Sequence, residues 1–196
     1  MPAGTSTAFE IHPVTPDRWP DLEALFGPQG AYGGCWCMWF RLTREQFRRD
    51  HGAANRQAMR RIVEAGEVPG LLAYADGRPA GWVSVAPRPV FGSIERSRVL
   101  KRIDDEPVWS IVCFYIDKGF RRQGLMAGLL RAAVEHARGR GARIVEGYPV
   151  EPQGGRLPEA WAAYRGLVTA FRGAGFVEVA RRSPDQPIMR YYADGP

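Results

Sequence analysis

The longest organised run of hydrophobic and polar positions extends from Val108 to Gly141. Residues 108–116 (VWSIVCFYI) are rich in β-branched and aromatic side chains and lack polar alternation. That composition predicts a central strand covered on both faces. A basic, glycine-punctuated turn, DKGFRRQG, follows it. Beyond the turn Met126, Leu129, Leu130, Ala133, Val134 and Ala137 recur at three- and four-residue spacing, with Arg131, Glu135 and Arg138 between them. This is one apolar stripe on a helix, which Gly139 and Gly141 close.

The remaining pattern sets elements on either side. Residues 7–14 predict a first strand. Thr15-Pro16 reads as a helix cap with proline in the first turn, leading through Trp19, Leu22 and Leu25-Phe26 to a break at Gly27-Pro28 and Gly30. Thr43 with Gln46 three residues on is a capping box, opening a helix to about Ala65. Asp76-Gly77, between strands predicted at 68–75 and 79–86, is the strongest short hairpin signal in the chain. Residues 87–107 form a long polar connection, of the kind that is often functional or mobile. Residues 143–148 predict a strand parallel to the central one through a right-handed crossover. Pro149, Pro152, Gly154-Gly155 and Pro158 predict a rigid loop, followed by a helix over 159–173 carrying Trp161, Tyr164, Leu167, Val168 and Phe171. Strands at 175–181 and 188–192 complete the pattern. Such a length suits a single domain spanning residues 1–196.

Composition narrows the function classes. A chain with 45% hydrophobic and 24% charged residues is of the soluble globular type. Its net charge of +6, carried by 25 arginines and two lysines, favours anionic partners. The arginines are scattered without interleaved aromatics, which argues against nucleic acid. No apolar run reaches membrane-spanning length, and MPAGTSTAFE lacks the basic start and apolar core of a secretory signal. Three cysteines, Cys35, Cys37 and Cys113, make no disulfide framework, so the cytoplasm is the expected location. His12, His51 and His136 are isolated and the Cys35–Cys37 pair has no second pair, so no metal is expected.

The turn before the long helix carries the chemistry. A helix beginning near Arg122 exposes its first amides and the positive end of its dipole. Gly124 allows close approach to the backbone, and Arg121 and Arg122 add charge, so the turn suits a phosphate. Gly119 and Gly124 have P-loop spacing, but Leu125 and Met126 stand where a lysine and a hydroxyl are required. The Gly-x-Gly-x-x-Gly dinucleotide fingerprint is absent. The run Arg121-Arg122-Gln123-Gly124-Leu125-Met126 instead resembles the acyl-CoA motif of the GNAT acyltransferase superfamily. It departs from that motif at Met126, where the family prefers Gly or Ala. Residues 170–176 (AFRGAGF) resemble the family's second motif, a helix closing on a Gly-Phe pair. The element order β-α-α-β-β-β-α-β-α-β-β is also the family's, so the resemblance covers nearly the whole chain.

The resemblance implies an α/β fold with a mixed, mostly antiparallel central sheet, a parallel splayed strand pair and helices on both faces. It implies acetyl-CoA as acyl donor, with the pyrophosphate on the amides of Arg122, Gln123, Gly124, Leu125, Met126 and Ala127. Arg121 or Arg122 would reach a phosphate. The backbones of Phe114 and Ile116 would pair with the pantetheine arm, and the Phe114 amide would polarise the thioester carbonyl. The implied activity is N-acetylation of a primary amine, expected on a small molecule, by direct attack in a ternary complex.

The groups that move protons are less defined. Many family members place an acidic tyrosine where this chain has Phe171. Tyr164 stands where many members have an asparagine near the CoA arm; it serves as the acid, binds the cofactor, or packs at the edge of the core. Candidate bases are Glu146, Glu151 and the Asp104-Asp105-Glu106 run. In the odd stretch 33–40 (GGCWCMWF), the resemblance puts Trp36, Cys37 and Trp39 at the acceptor pocket. Core filling and a catalytic thiol are the other readings of that stretch, while Cys113 reads as an inert small hydrophobe. The loops near 87–107 and 149–158 are expected to help choose the acceptor. Expected partners are a small-molecule amine, neither nucleic acid nor membrane, and a homodimer is allowed. Two other readings stand beside the enzyme: a CoA-binding sensor without catalysis, favoured by Phe171, and a basic nucleic-acid-binding domain.

Overall fold

The computed structural model describes residues 8–152, 164–193 and 195. Its strands are β1 (Phe9–Pro13), β2 (Gly70–Ala75), β3 (Arg78–Pro87), β4 (Val108–Ile116), β5 (Ile144–Gly147), β6 (Val177–Arg181) and β7 (Pro187–Tyr192). Its helices are α1 (Trp19–Phe26), α2 (Arg44–Arg49), α3 (Ala53–Glu64), α4 (Gly92–Glu95), α5 (Leu125–Arg138) and α6 (Val168–Gly173). The strands form one sheet in the order β1-β2-β3-β4-β5-β7-β6. Only β4 and β5 run parallel, joined by the α5 crossover; every other neighbouring pair is antiparallel. The result is the mixed, mostly antiparallel α/β sheet expected from the sequence.

The periodicities account for the layers. Leu129, Leu130, Ala133, Val134 and Ala137 of the α5 stripe are buried with Val83, Ile111, Phe114 and Phe171 in one core. On the opposite face Leu22 and Phe26 of α1 and Met59 and Val63 of α3 close over Leu72 and Trp82. Asp76 and Gly77 turn the β2–β3 hairpin with φ of 50° and 72°, the left-handed pair that an Asn-Gly or Asp-Gly turn supplies.

Three expectations change. Thr43 and Gln46 do form a capping box, but the helix it opens stops at Arg49. Gly52, at φ 72°, breaks the chain before α3 starts at Ala53. Helix α5 starts at Leu125, three residues later than expected, because Arg122 and the N-cap Gly124 are both left-handed, at φ 61° and 81°. Tyr164 is not on α6: Gly166 is left-handed and Leu167 is extended, so the helix starts only at Val168. Trp161 and the loop from residue 153 lie outside the described residues.

The connection at 87–107 is pinned. Arg88 is buried and donates to Glu95, Glu146, the Tyr148 hydroxyl and the Leu100 carbonyl. Arg182 donates to the carbonyls of Val99 and Lys101, and Arg190 to both oxygens of Asp104. Phe91, Ile94 and Leu100 pack beneath it against Val112 and Ile188.

Candidate active site

Strand β4 organises the site. Its register against β3 slips between Ser84 and Val85, which pair with Cys113 and Ile111, so Val112 is an extra residue. Such a bulge re-aims the side chains that follow it. Ile111 and Phe114, three apart, consequently share the α5 face, while Cys113 and Tyr115 pack on the other. Pairing with β5 ends at Ile111 opposite Gly147, so the two parallel strands part just beyond the bulge.

The chain itself crosses that gap. Phe114 N–H donates to the Tyr164 carbonyl at 2.6 Å, Val150 N–H to the Gly166 carbonyl at 2.9 Å, and Val168 N–H to the Val150 carbonyl at 3.2 Å. The amide expected to face a thioester is therefore already hydrogen-bonded to Tyr164. The Tyr164 ring stacks on Tyr115, with centroids 6.3 Å apart and planes at 13°.

Past β4 the chain tightens into the expected turn. Asp117 accepts from Gly119 N–H at 2.9 Å. Arg121 Nε donates to the Ile116 carbonyl at 3.1 Å, and Gln123 Nε2 to the Gly119 carbonyl at 2.9 Å. Arg121 thus braces the turn, a role its charge did not announce. The Gly124 carbonyl accepts from Ala127 and Gly128. A Cβ added to Gly124 would meet nothing within 4 Å, so open space faces this backbone. Of the first-turn amides of α5, the one expected at Ala127 is taken by the Gly124 carbonyl, which leaves those of Leu125 and Met126 for an anion. Met126 packs against the α5 core, which explains how a large side chain is accommodated where the motif prefers Gly or Ala.

On the Cys113–Tyr115 face lies a cavity of about 440 Å³. Tyr32, Trp39, Phe40, Phe47, Tyr115 and Tyr164 supply its aromatic lining, with Cys35, Cys37, Cys113, His51 and Arg165. Trp39 is 41% exposed at the cavity and meets Phe47 edge-on at 4.9 Å. Burial pushes the Cys35 thiol up to about 12. Cys37 is raised as well, first because its thiol hydrogen-bonds Cys113 and then by burial. Cys37 Sγ lies 3.5 Å from Cys113 Sγ and accepts from Trp82 Nε1 at 3.1 Å. Burial also raises the Tyr164 hydroxyl, keeping it protonated near neutrality.

Several expected site residues lie elsewhere. Trp36 is buried, stacked on Trp19 at 6.0 Å and edge-on to Phe26 at 5.6 Å, and does not line the cavity. Consecutive left-handed residues, Trp36 at φ 47° and Cys37 at φ 53°, send the indole into the core and the sulfur toward Trp82. Such conformations persist only where packing over-determines them. Glu146 is only 1% exposed and is held by Arg88 at 2.6 Å, Arg190 at 2.9 Å and the Tyr148 hydroxyl at 2.7 Å. A carboxylate so enclosed, away from the cavity, is not a base for an acceptor there. Glu151 pairs with Arg181 and Asp104 with Arg190. Cys113 is half-buried and lines the cavity, so it is not merely core filling. No residue of 87–107 lines the cavity.

Sequence reasoning missed Tyr32, Phe47, His51, Tyr115 and Arg165. Tyr115 alone had a local signal, its period-two alternation with Cys113. Among the described residues no cluster of His, Cys, Asp or Glu could hold a metal ion, and no helix is long and apolar enough to cross a membrane.

Comparison with known proteins gives the class first: the chain is an N-acetyltransferase. A model of the acetyltransferase (GNAT) family matches residues 36–153, more than half of the sequence, and the chain belongs to that family. Solved structures share its fold. A GNAT-family acetyltransferase from Listeria monocytogenes aligns with a TM-score of 0.60 at 10% identity, covering 98% of both chains. One from Streptococcus pneumoniae gives 0.54 at 18%, covering 94% of this chain and 99% of the other. The PaiA N-acetyltransferase from Thermoplasma acidophilum, solved in complex with coenzyme A, gives 0.51 at 12%, with coverage of 94% and 99%. No curated protein matches the sequence.

Proposed function

We propose that this acetyltransferase moves an acetyl group from acetyl-CoA to the primary amine of a small molecule held in the aromatic cavity. The reading rests on one observation: Cys113 and Tyr115 line the cavity on either side of Phe114, so the acceptor space abuts the strand that leads into the glycine-capped helix start. A CoA neighbour, PaiA, supports the choice of donor.

The residues fit that donor at its phosphate end. Open space over Gly124 and the amides of Leu125 and Met126 would hold a pyrophosphate, with Arg122 two residues before Gly124. At the other end the Phe114 amide is engaged by Tyr164, so Tyr164 must yield that amide for Phe114 to act as an oxyanion donor. Acetyl-CoA supplies a thioester, whose acyl group exchanges with an amine hydrogen to give an amide and a free thiol, without oxidation or reduction.

The chain's own groups then have defined tasks. Tyr164, protonated and on the cavity wall, is the group we assign to protonate the departing thiolate. Raised thiols at Cys35 and Cys37 are poor nucleophiles, which favours direct attack over a cysteine-bound acyl group. The test is Gly124→Val. A β-branched residue in the left-handed region is strained, and its side chain would fill the open space above the turn. We expect calorimetry to show CoA affinity falling by more than about tenfold, with acetyl transfer falling in parallel; undiminished CoA binding would overturn the donor site. A CoA sensor is the second reading, favoured by the Phe114–Tyr164 bond; it requires CoA binding with no thiol released across an amine panel.

A further inference from the structure

We propose, on the acetyltransferase reading above, that the acceptor is a compact aromatic monoamine and that the cavity excludes polycationic amines. The volume of about 440 Å³ lies within the range of roughly 300–1,000 Å³ typical of small-molecule sites. Among the described residues, six aromatic side chains line it and no aspartate or glutamate does. Arg165, on which the charge of Asp185 acts, also belongs to the described lining, its guanidinium 5.7 Å from the Phe40 ring centroid. Two of the three large hydrophobic residues that the described surface exposes, Tyr32 and Trp39, belong to this lining. Exposed apolar surface concentrated at one cavity marks a ligand site and not a solvated face.

Charge decides the class of amine. A polyamine or aminoglycoside would bring several ammonium groups into an apolar wall in which no described residue supplies a carboxylate. Cation–π contacts with the rings return only part of the hydration each ammonium loses, so the cost grows with the number of charges. An aromatic monoamine brings one ammonium and a ring that stacks on Trp39, Tyr115 or Tyr164. Desolvation by the apolar wall disfavours its charged form, so the amine sheds its proton to solvent as it binds. That supplies the neutral nucleophile in a site where Glu146 is committed elsewhere, and removes the need for a carboxylate base.

Phenylethylamine and spermidine distinguish the outcomes, each titrated calorimetrically into the full chain saturated with CoA and each assayed for acetylation. We expect phenylethylamine to bind at least about tenfold tighter than spermidine and to be the amine acetylated. Trp39→Ala, at a partly exposed position, should weaken phenylethylamine by about tenfold with CoA affinity unchanged, and Trp39→Asp should reverse the order of the two amines. Tighter binding or faster acetylation of spermidine overturns this inference and leaves acetyl transfer standing. Trp39-dependent binding of phenylethylamine with neither amine acetylated upholds the cavity chemistry and overturns small-amine acetylation. If neither amine binds, the inference fails.

Discussion

Phe114 N–H and the Tyr164 carbonyl meet at 2.6 Å across the gap where β4 and β5 part. One bond joins the strand that, in our reading, presents the acyl donor to a residue on the wall of the aromatic cavity. Gly166 makes it possible: at φ 81° it turns the chain back, and a Cβ there would lie 3.0 Å from Phe171 and 3.2 Å from Phe114. If the pantetheine arm takes this amide, acetyl-CoA must displace Tyr164. In amide NMR spectra the Phe114 resonance should shift on adding CoA and stay in place with adenosine bisphosphate, which lacks the arm. A Phe114 signal indifferent to CoA would remove this amide from the reaction.

The cysteines should be chemically quiet. With its thiol at about 12, Cys35 is thiolate in roughly one molecule in ten thousand at pH 8. Iodoacetamide at that pH should leave Cys35 and Cys37 unmodified after times that fully alkylate a free thiol. Mass spectrometry reads the result, and rapid alkylation of either would reopen a covalent route.

Glu146 should matter to stability. Truncating it to alanine leaves Arg88 and Arg190 buried with, among the described residues, Glu95 and Asp104 as counter-charges. Breaking a buried pair in this way costs about 3–5 kcal/mol. In a chain of this length each kcal/mol lowers the melting temperature by about 2–4 °C. Thermal denaturation of Glu146→Ala should therefore show a fall of roughly 6 °C or more; an unchanged transition would refute the structural role.

His136 builds in a pH dependence of stability. Burial, with Arg140 beside it, holds its imidazole from 6.5 down to about 4. Arg140 donates to Nδ1, which leaves the proton on Nε2, buried without a partner. Between those two values the unfolded chain binds a proton that the folded chain refuses. Stability is thus complete above pH 6.5 and declines as pH falls toward 4. Melting curves across this window should flatten in His136→Phe relative to the parent, and parallel slopes would exclude the histidine.

The parts of the fold governed by local rules were legible. The α5 stripe, the Asp76-Gly77 hairpin and the Thr43–Gln46 box depend on spacing and on conformational freedom within a few residues. Where the reading failed, distant packing had overruled the local pattern. Tyr164 and Leu167 have helical spacing, yet Gly166 and the bond to Phe114 pull that segment into the sheet gap. Trp36 and Trp39 look alike in sequence; the consecutive left-handed residues Trp36 and Cys37 bury one and leave the other at the cavity.

The sequence by itself determined the family, the sheet with its parallel pair, and the glycine turn suited to a phosphate, because each is written in contiguous residues. Only the tertiary structure formed the cavity in which we propose the acceptor is held. Its lining comes from segments around residues 31–40, 47–51, 113–115 and 164–165, which no spacing rule connects. It also withdrew Glu146 from the chemistry, since the arginines that enclose it are 58 and 44 positions away. A local pattern sets backbone conformation; which side chains share a cavity, and which charges are already paired, depends on how the β4 bulge and the crossing of residues 164–168 bring distant segments together.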